Sequence, residues 1–110
     1  VDNIAAQIEQ EVGSWEGVTT VEHRFGGVEF RLGRRELGHL HGERWADLRF
    51  QPGVRDMLVD TGRAQPHHVL PHTGWVSKQI RTPADLTEVI ELFRLSYERA
   101  RVEQNVHEAR

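Results

Sequence analysis

Two short runs hold most of the side chains in this sequence that can exchange protons near neutral pH. The first is His39-Leu40-His41 and the second is Pro66-His67-His68-Val69-Leu70-Pro71-His72. Imidazole is the side chain whose ordinary pKa lies closest to neutrality, so such runs suit general acid–base work. On a strand, residues two apart project from one face about 7 Å apart, which also suits a pair of metal ligands. A third ligand would come from His67, His68 or His72. The first reading is a metal-free, proton-handling site. The alternative is a zinc or iron site made by His39, His41 and His68. The plain reading is that His39 and His41 lie in a polar, water-facing patch, or that one of them is a buried, hydrogen-bonded histidine, and that the second run is a solvated loop. Prolines at 66 and 71 stiffen the second run, so its side chains can be held without a helix or strand.

Other residues extend these runs into a candidate site. Arg34-Arg35-Glu36 could bring the Arg35 guanidinium to the histidines, where it would hold an enolate or a carboxylate. The ordinary role of such a run is a solvated hairpin with a surface ion pair. Trp45 and Trp75 could wall a pocket for an aromatic ligand, with His67 and His72 beside them, or could pack into the core. The candidate catalytic residues are therefore His39, His41, His68 and Arg35. The candidate substrate-binding residues are Trp75, His67, His72 and Trp45. Ser96 and Tyr97 read as packing residues, with the tyrosine hydroxyl satisfied at the core's rim. There is no Ser-His-Asp order, phosphate loop, dinucleotide fingerprint or zinc-protease helix.

The elements that must position these groups are legible from periodicity. Asp2 to Trp15 carries Ile4, Ala5, Ile8, Val12 and Trp15 at helical spacing, capped by Asp2 or Asn3. From Val18 the period changes to two. Strands are expected at Val18–Arg24, at Val28–Leu32, at Glu36–His41 and at Trp45–Phe50, with the first turn at Phe25-Gly26-Gly27. Strict alternation puts Leu37, His39 and His41 on one face of the third strand and Glu36, Gly38 and Leu40 on the other. Pro52 opens a short helix that Gly62 closes. Gln65 to Gly74 reads as a loop, and Trp75–Ile80 as a last strand. Thr82-Pro83-Ala84-Asp85 is a strong helix start, followed by a stripe of Leu86, Val89, Ile90, Phe93, Tyr97 and Ala100.

The fold class is α+β: an antiparallel sheet of about five strands with helices packed on one face, in the order α-β-β-β-β-α-β-α. The whole of residues 1–110 reads as one domain, with an N-terminal helix within 1–16 and a charged tail, 101–110, expected to fray.

Composition bounds the partners. Apolar residues make up 37% and charged residues 28% of the 110, the balance of a globular domain. The net charge of −3 does not draw in phosphate backbones or anionic lipid. No apolar run approaches the ~20 residues that span a bilayer, and no export signal is visible at Val1. The absence of cysteine removes thiolate metal sites and cysteine nucleophiles. A cytoplasmic protein with a small-molecule ligand, and without nucleic-acid or membrane partners, is expected. The sequence does not set its oligomeric state.

At Arg35-Glu36-Leu37-Gly38-His39-Leu40-His41 and Asp47-Leu48 a likeness to a known family begins. It continues through Gly62-Arg63-Ala64-Gln65-Pro66-His67-His68, Gly74-Trp75-Val76 and Leu95-Ser96-Tyr97. The chain resembles the luciferase-like domain found in small bacterial proteins and in the fungal luciferase that oxidises 3-hydroxyhispidin, over roughly Val18 to Ala100. The resemblance implies an oxygenase-type site that uses neither flavin nor nicotinamide, with Arg35, His39, His41, His68 and Trp75 as its residues by position. The fungal enzyme is longer, carries a membrane-anchoring region unmatched here, and differs in spacing after the second cluster. The element order is also similar to MmcQ/YjbR-like domains, which have a frataxin-like fold and are often described as DNA-binding. The acidic balance and the lack of a basic-aromatic stripe make nucleic acid the weaker reading. Three functions remain: a small-molecule oxygenase with no resident cofactor, a metal-binding module, and a non-enzymatic interaction domain.

Overall fold

The computed structural model describes residues 3–22 and 27–108. The alternating segments form a meander in which β1 (Val18–Glu22), β2 (Val28–Leu32), β3 (Arg35–His41) and β4 (Trp45–Arg49) each pair antiparallel with the one before. The turn expected at Phe25-Gly26-Gly27 lies outside the described residues except for Gly27. The two later strands, β5 (Gln65–Pro66) and β6 (Trp75–Gln79), complete a six-stranded sheet in the order β1-β2-β3-β4-β6-β5. About five strands are expected from the sequence, and the additional one is β5. Gln65 and Pro66 pair with Ser77 and Val76 instead of looping free. Proline is tolerated there because an edge strand need not donate on its outer side.

Among the described residues three helices accompany the sheet: α1 (Ile4–Gly13), α2 (Pro52–Asp60) and α3 (Pro83–Glu108). The apolar stripe of α1 buries Ile4, Ile8 and Val12, and that of α3 buries Val89, Leu92, Phe93, Tyr97 and Ala100. These side chains meet Phe30, Leu40, Leu48 and Val76 from the sheet in one core cluster. Phe93 packs edge-on against Phe30 with ring centroids 5.1 Å apart. The fold is therefore α+β, with its helices packed on one face of the antiparallel sheet.

Helix ends show what positions each element. Asp2, one expected cap of α1, lies outside the described residues, and Asn3 stands at the cap with φ 61° and makes no side-chain cap bond. The Ala5 N–H instead donates to Glu43 Oε2 at 2.9 Å, so the β3–β4 turn caps the helix. Pro52 is the first residue of α2, and Gly62 just beyond its end has φ 76°, the left-handed conformation that glycine adopts freely. At α3 the Asp85 N–H donates to Thr82 Oγ1, and Asp85 Oδ2 accepts from the Arg81 and Thr82 N–H groups. The helix then continues through Glu108, across the segment expected to fray. Glu103 in that segment pairs with Arg35 and accepts the Gln51 amide at 2.9 Å.

One irregularity governs the site. Between β2 and β3 the pairing shifts, so that Phe30 faces Gly38 while Arg31 faces Glu36, and Leu37 is left as an extra residue. Strict alternation puts Leu37 beside His39 and Glu36 on the other face, and the bulge overturns both assignments. Leu37 is fully buried in the core, and Glu36 reaches His39. The carbonyl of Leu37 accepts the Ser96 hydroxyl from α3 at 3.1 Å, which meets its hydrogen-bonding need inside the core. No helix among the described residues is long and apolar enough to cross a membrane.

Candidate functional site

The sheet register brings the two histidine runs together. His39 on β3 stands opposite Asp47 on β4, Asp47 stands opposite Ser77 on β6, and His41 stands opposite Trp45. Asp47 is wholly buried, and a buried carboxylate must be answered by donors or charge. Its Oδ1 accepts the Trp45 indole N–H at 3.0 Å and the Ser77 hydroxyl at 2.6 Å. Its Oδ2 lies 2.9 Å from His41 Nε2, 3.3 Å from His67 Nε2 and 3.4 Å from His39 Nε2. The two strand imidazoles touch as well, Nε2 to Nε2 at 3.0 Å. Behind them the His39 Nδ1–H donates to Glu36 Oε2 at 2.5 Å.

The electrostatics follow from this geometry. Burial pushes the His39 imidazole down, but the carboxylates of Asp47 and Glu36 outweigh it and raise its pKa to about 9. Burial likewise pushes Asp47 up, and the hydrogen bonds from His39 and Ser77 hold it far below the usual carboxylate range. His67 is pushed down, mainly by burial, with Asp47 opposing that shift.

The tautomer of His67 can be assigned from its partners. Its Nδ1 accepts the backbone N–H groups of Val69 at 3.1 Å and Leu70 at 3.0 Å. A neutral imidazole that accepts at Nδ1 carries its proton on Nε2. That proton faces Asp47.

The remaining expected site residues fall into three places. Trp75 lies over the cluster, its ring 5.4 Å from His39 and 6.2 Å from His67. His68 stacks on the outer side of His67 at 4.5 Å and meets the edge of Trp45 at 5.4 Å. His72 is exposed and takes no part in the cluster. Arg35 does not reach the histidines. Its guanidinium pairs with Glu103 and lines a cleft of about 760 Å³, together with Arg31, Arg34, Glu36, Arg49 and Gly74. Burial and the neighbouring Arg49 and Arg99 push Arg35 below its ordinary pKa, which marks this wall as electropositive. Arg34 and Arg49 have no ion-pair partner among the described residues, whereas Arg31 pairs with Glu29.

Sequence reasoning missed Asp47 and Glu36. The first was detectable: counting back from the Gly42-Glu43-Arg44 turn pairs residue 39 with residue 47. The second was hidden by the bulge. Glu36 belongs to both parts of the site, bonded to His39 on one side and lining the arginine cleft on the other.

A family model described as Luciferase domain matches residues 34–96, more than half of the chain. The matched segment runs from Arg34 of the cleft to Ser96 and takes in every residue of the cluster. No curated protein matches, and no solved structure does.

Proposed function

The chain belongs to the luciferase domain family, and we propose that it binds a small, anionic, enolisable molecule in the arginine-lined cleft and readies it for reaction with oxygen. The hydroxypyrones and hydroxylated aromatics are the class that fits. One observation carries this reading: Glu36 is shared between the cleft and the histidine cluster.

An enolisable molecule reacts with oxygen only once it is electron-rich, so a site for it needs a proton acceptor and a cation for the resulting oxyanion. Arg34 and Arg49, which have no carboxylate on them among the described residues, supply cationic charge. Of the two carboxylates that line the cleft, Glu103 pairs with Arg35 and Glu36 takes the proton, and His39 behind Glu36 donates a hydrogen bond that orients it. Trp75, on the strand that follows Gly74, covers the cluster and limits the entry of water. No step in this account calls for flavin or nicotinamide.

Oxygen uptake by the purified chain, with light recorded alongside, tests the reading on 3-hydroxyhispidin and simpler hydroxypyrones. The expected result is uptake that falls at least about 100-fold in Glu36→Gln, the ordinary loss for a removed acid–base group. Absence of both uptake and hydroxypyrone binding by the wild-type chain would overturn it.

A further inference from the structure

We propose that His39 Nε2, His41 Nε2 and Asp47 Oδ2 together hold one divalent first-row transition-metal ion. The inference goes beyond the function proposed above, because it concerns ion binding alone and requires no substrate.

The three atoms form a triangle with sides of 3.0, 2.9 and 3.4 Å. Donors bonded to one ion at about 2.0–2.2 Å, with angles between octahedral and tetrahedral, are separated by about 2.9–3.5 Å. All three sides fall in that range. The Nδ1–H of His39 is taken by Glu36, so Nε2 is the ring atom that an ion meets once it displaces the proton there. Asp47 Oδ2 is an acceptor. A proton shared among these atoms can be displaced by an ion at the same point. A cation in its place would be met by three lone pairs.

Neighbouring side chains select this set over its alternatives. A second grouping of possible ligands joins Asp47 with His67 and His68. His67 is unsuited to it, because backbone N–H groups occupy its Nδ1 and leave a proton on the Nε2 that faces Asp47. His68 stacks outside His67. The set of His39, His41 and His68 expected from sequence thus gives way to one in which a carboxylate is the third ligand. Outer partners are in place for two of the three ligands: Glu36 on His39, and Trp45 and Ser77 on the far oxygen of Asp47. Such partners fix the orientation of metal ligands and raise their basicity. Two imidazoles with one carboxylate disfavour magnesium and calcium and suit iron(II), cobalt(II) or zinc(II), with coordination positions left over.

The test uses the full chain, stripped with chelator and dialysed, then titrated with cobalt(II), zinc(II) and, without oxygen, iron(II). Bound metal is counted by elemental analysis, and cobalt(II) reports its coordination by visible absorption. One equivalent is expected. His39→Gln and His41→Gln should each weaken binding by more than the about 10–100-fold that loss of an outer partner costs. His68→Gln should leave affinity within about threefold. Folding of each variant is checked by circular dichroism. His41 is partly exposed and decides the matter if His39→Gln does not fold. Failure of the wild-type chain to retain any of the three ions would overturn the proposal, as would equal losses in His68→Gln and His41→Gln. Oxygen uptake by a chain that binds no metal would leave the proposed function standing and remove this one.

Discussion

Glu36 and His39 stand three residues apart on one strand and yet are joined, Oε2 to Nδ1, at 2.5 Å. An unbroken strand would hold them on opposite faces. Their meeting depends on the unpaired Leu37 between them, whose carbonyl accepts the hydroxyl of Ser96 from α3. Ser96→Ala removes that donor and leaves a buried carbonyl unmet, at an expected cost of about 1–3 kcal/mol. Urea unfolding of the two chains measures it. If the bulge is secured by this bond, oxygen uptake should fall in the same variant; unchanged stability would show that the Leu37 carbonyl finds another partner.

Arg34 and Arg49 face the cleft without carboxylate partners among the described residues, so replacing them should affect ligands and not folding. Arg49→Met and Arg34→Met are each expected to weaken binding of a hydroxypyrone anion about tenfold or more, the ordinary worth of one charge-assisted hydrogen bond. Unfolding free energies should stay within about 0.5 kcal/mol of the parent. Titration calorimetry at two salt concentrations should show the weakening shrink as salt rises. Unchanged affinity in both variants would place the ligand elsewhere.

Gly38 is required by what lies over it. A Cβ built there would come 2.6 Å from the Asp47 carbonyl oxygen and 2.8 Å from the Phe93 ring. Gly38→Ala forces α3 away from β3, and the expected destabilisation is about 1–3 kcal/mol. For a chain of this size each kcal/mol lowers the melting midpoint by roughly 4–8 °C, which differential scanning calorimetry resolves easily. A midpoint equal to the parent's would contradict the close packing of Phe93 described above.

The start of α3 carries a pH dependence of its own. Asp85 accepts the backbone N–H groups of Arg81 and Thr82 and lies near Lys78, and these hold its carboxyl below the ordinary 3.8. A carboxyl whose folded pKa lies below its unfolded one stabilises the fold above the unfolded value. That contribution is lost as pH falls toward the folded value. Asp85→Asn should therefore flatten the fall in melting temperature below about pH 4. Thr82→Ala, which removes the reciprocal cap, should cost about 1 kcal/mol at neutral pH. A melting profile that Asp85→Asn does not alter would deny the cap its role.

The fold was legible where alternation and punctuation agree. The β2 and β4 patterns, Pro52 with Gly62, and Thr82 with Asp85 each mark an element through a local steric or hydrogen-bonding rule, and the structure follows them. Three features were not legible, each for a definite reason. Gln65–Pro66 is too short to show a period and contains a residue that normally argues against a strand. The continuation of α3 to Glu108 is supported by contacts with Arg35 and Gln51, more than fifty residues away in sequence. The partnership of Glu36 with His39 rests on one inserted residue, which inverts every face assignment before it. Of the candidate site, His39, His41, His67, His68 and Trp75 were named by type and spacing, whereas His72 and Arg35, named with them, lie outside the cluster. Asp47, the group on which they converge, looked like an ordinary polar residue of a half-exposed strand.

His39, His41 and Asp47 all belong to one hairpin, whereas His67, His68 and Trp75 arrive from a later loop and strand. The converging atoms of His39, His41 and Asp47 are thus fixed by a turn and a register inside nine consecutive residues. What stands over them is set by a stretch of chain that can lengthen or shorten without touching that register. Substitutions at His67, His68 or Trp75 would therefore alter the cover while leaving the geometry of His39, His41 and Asp47 in place.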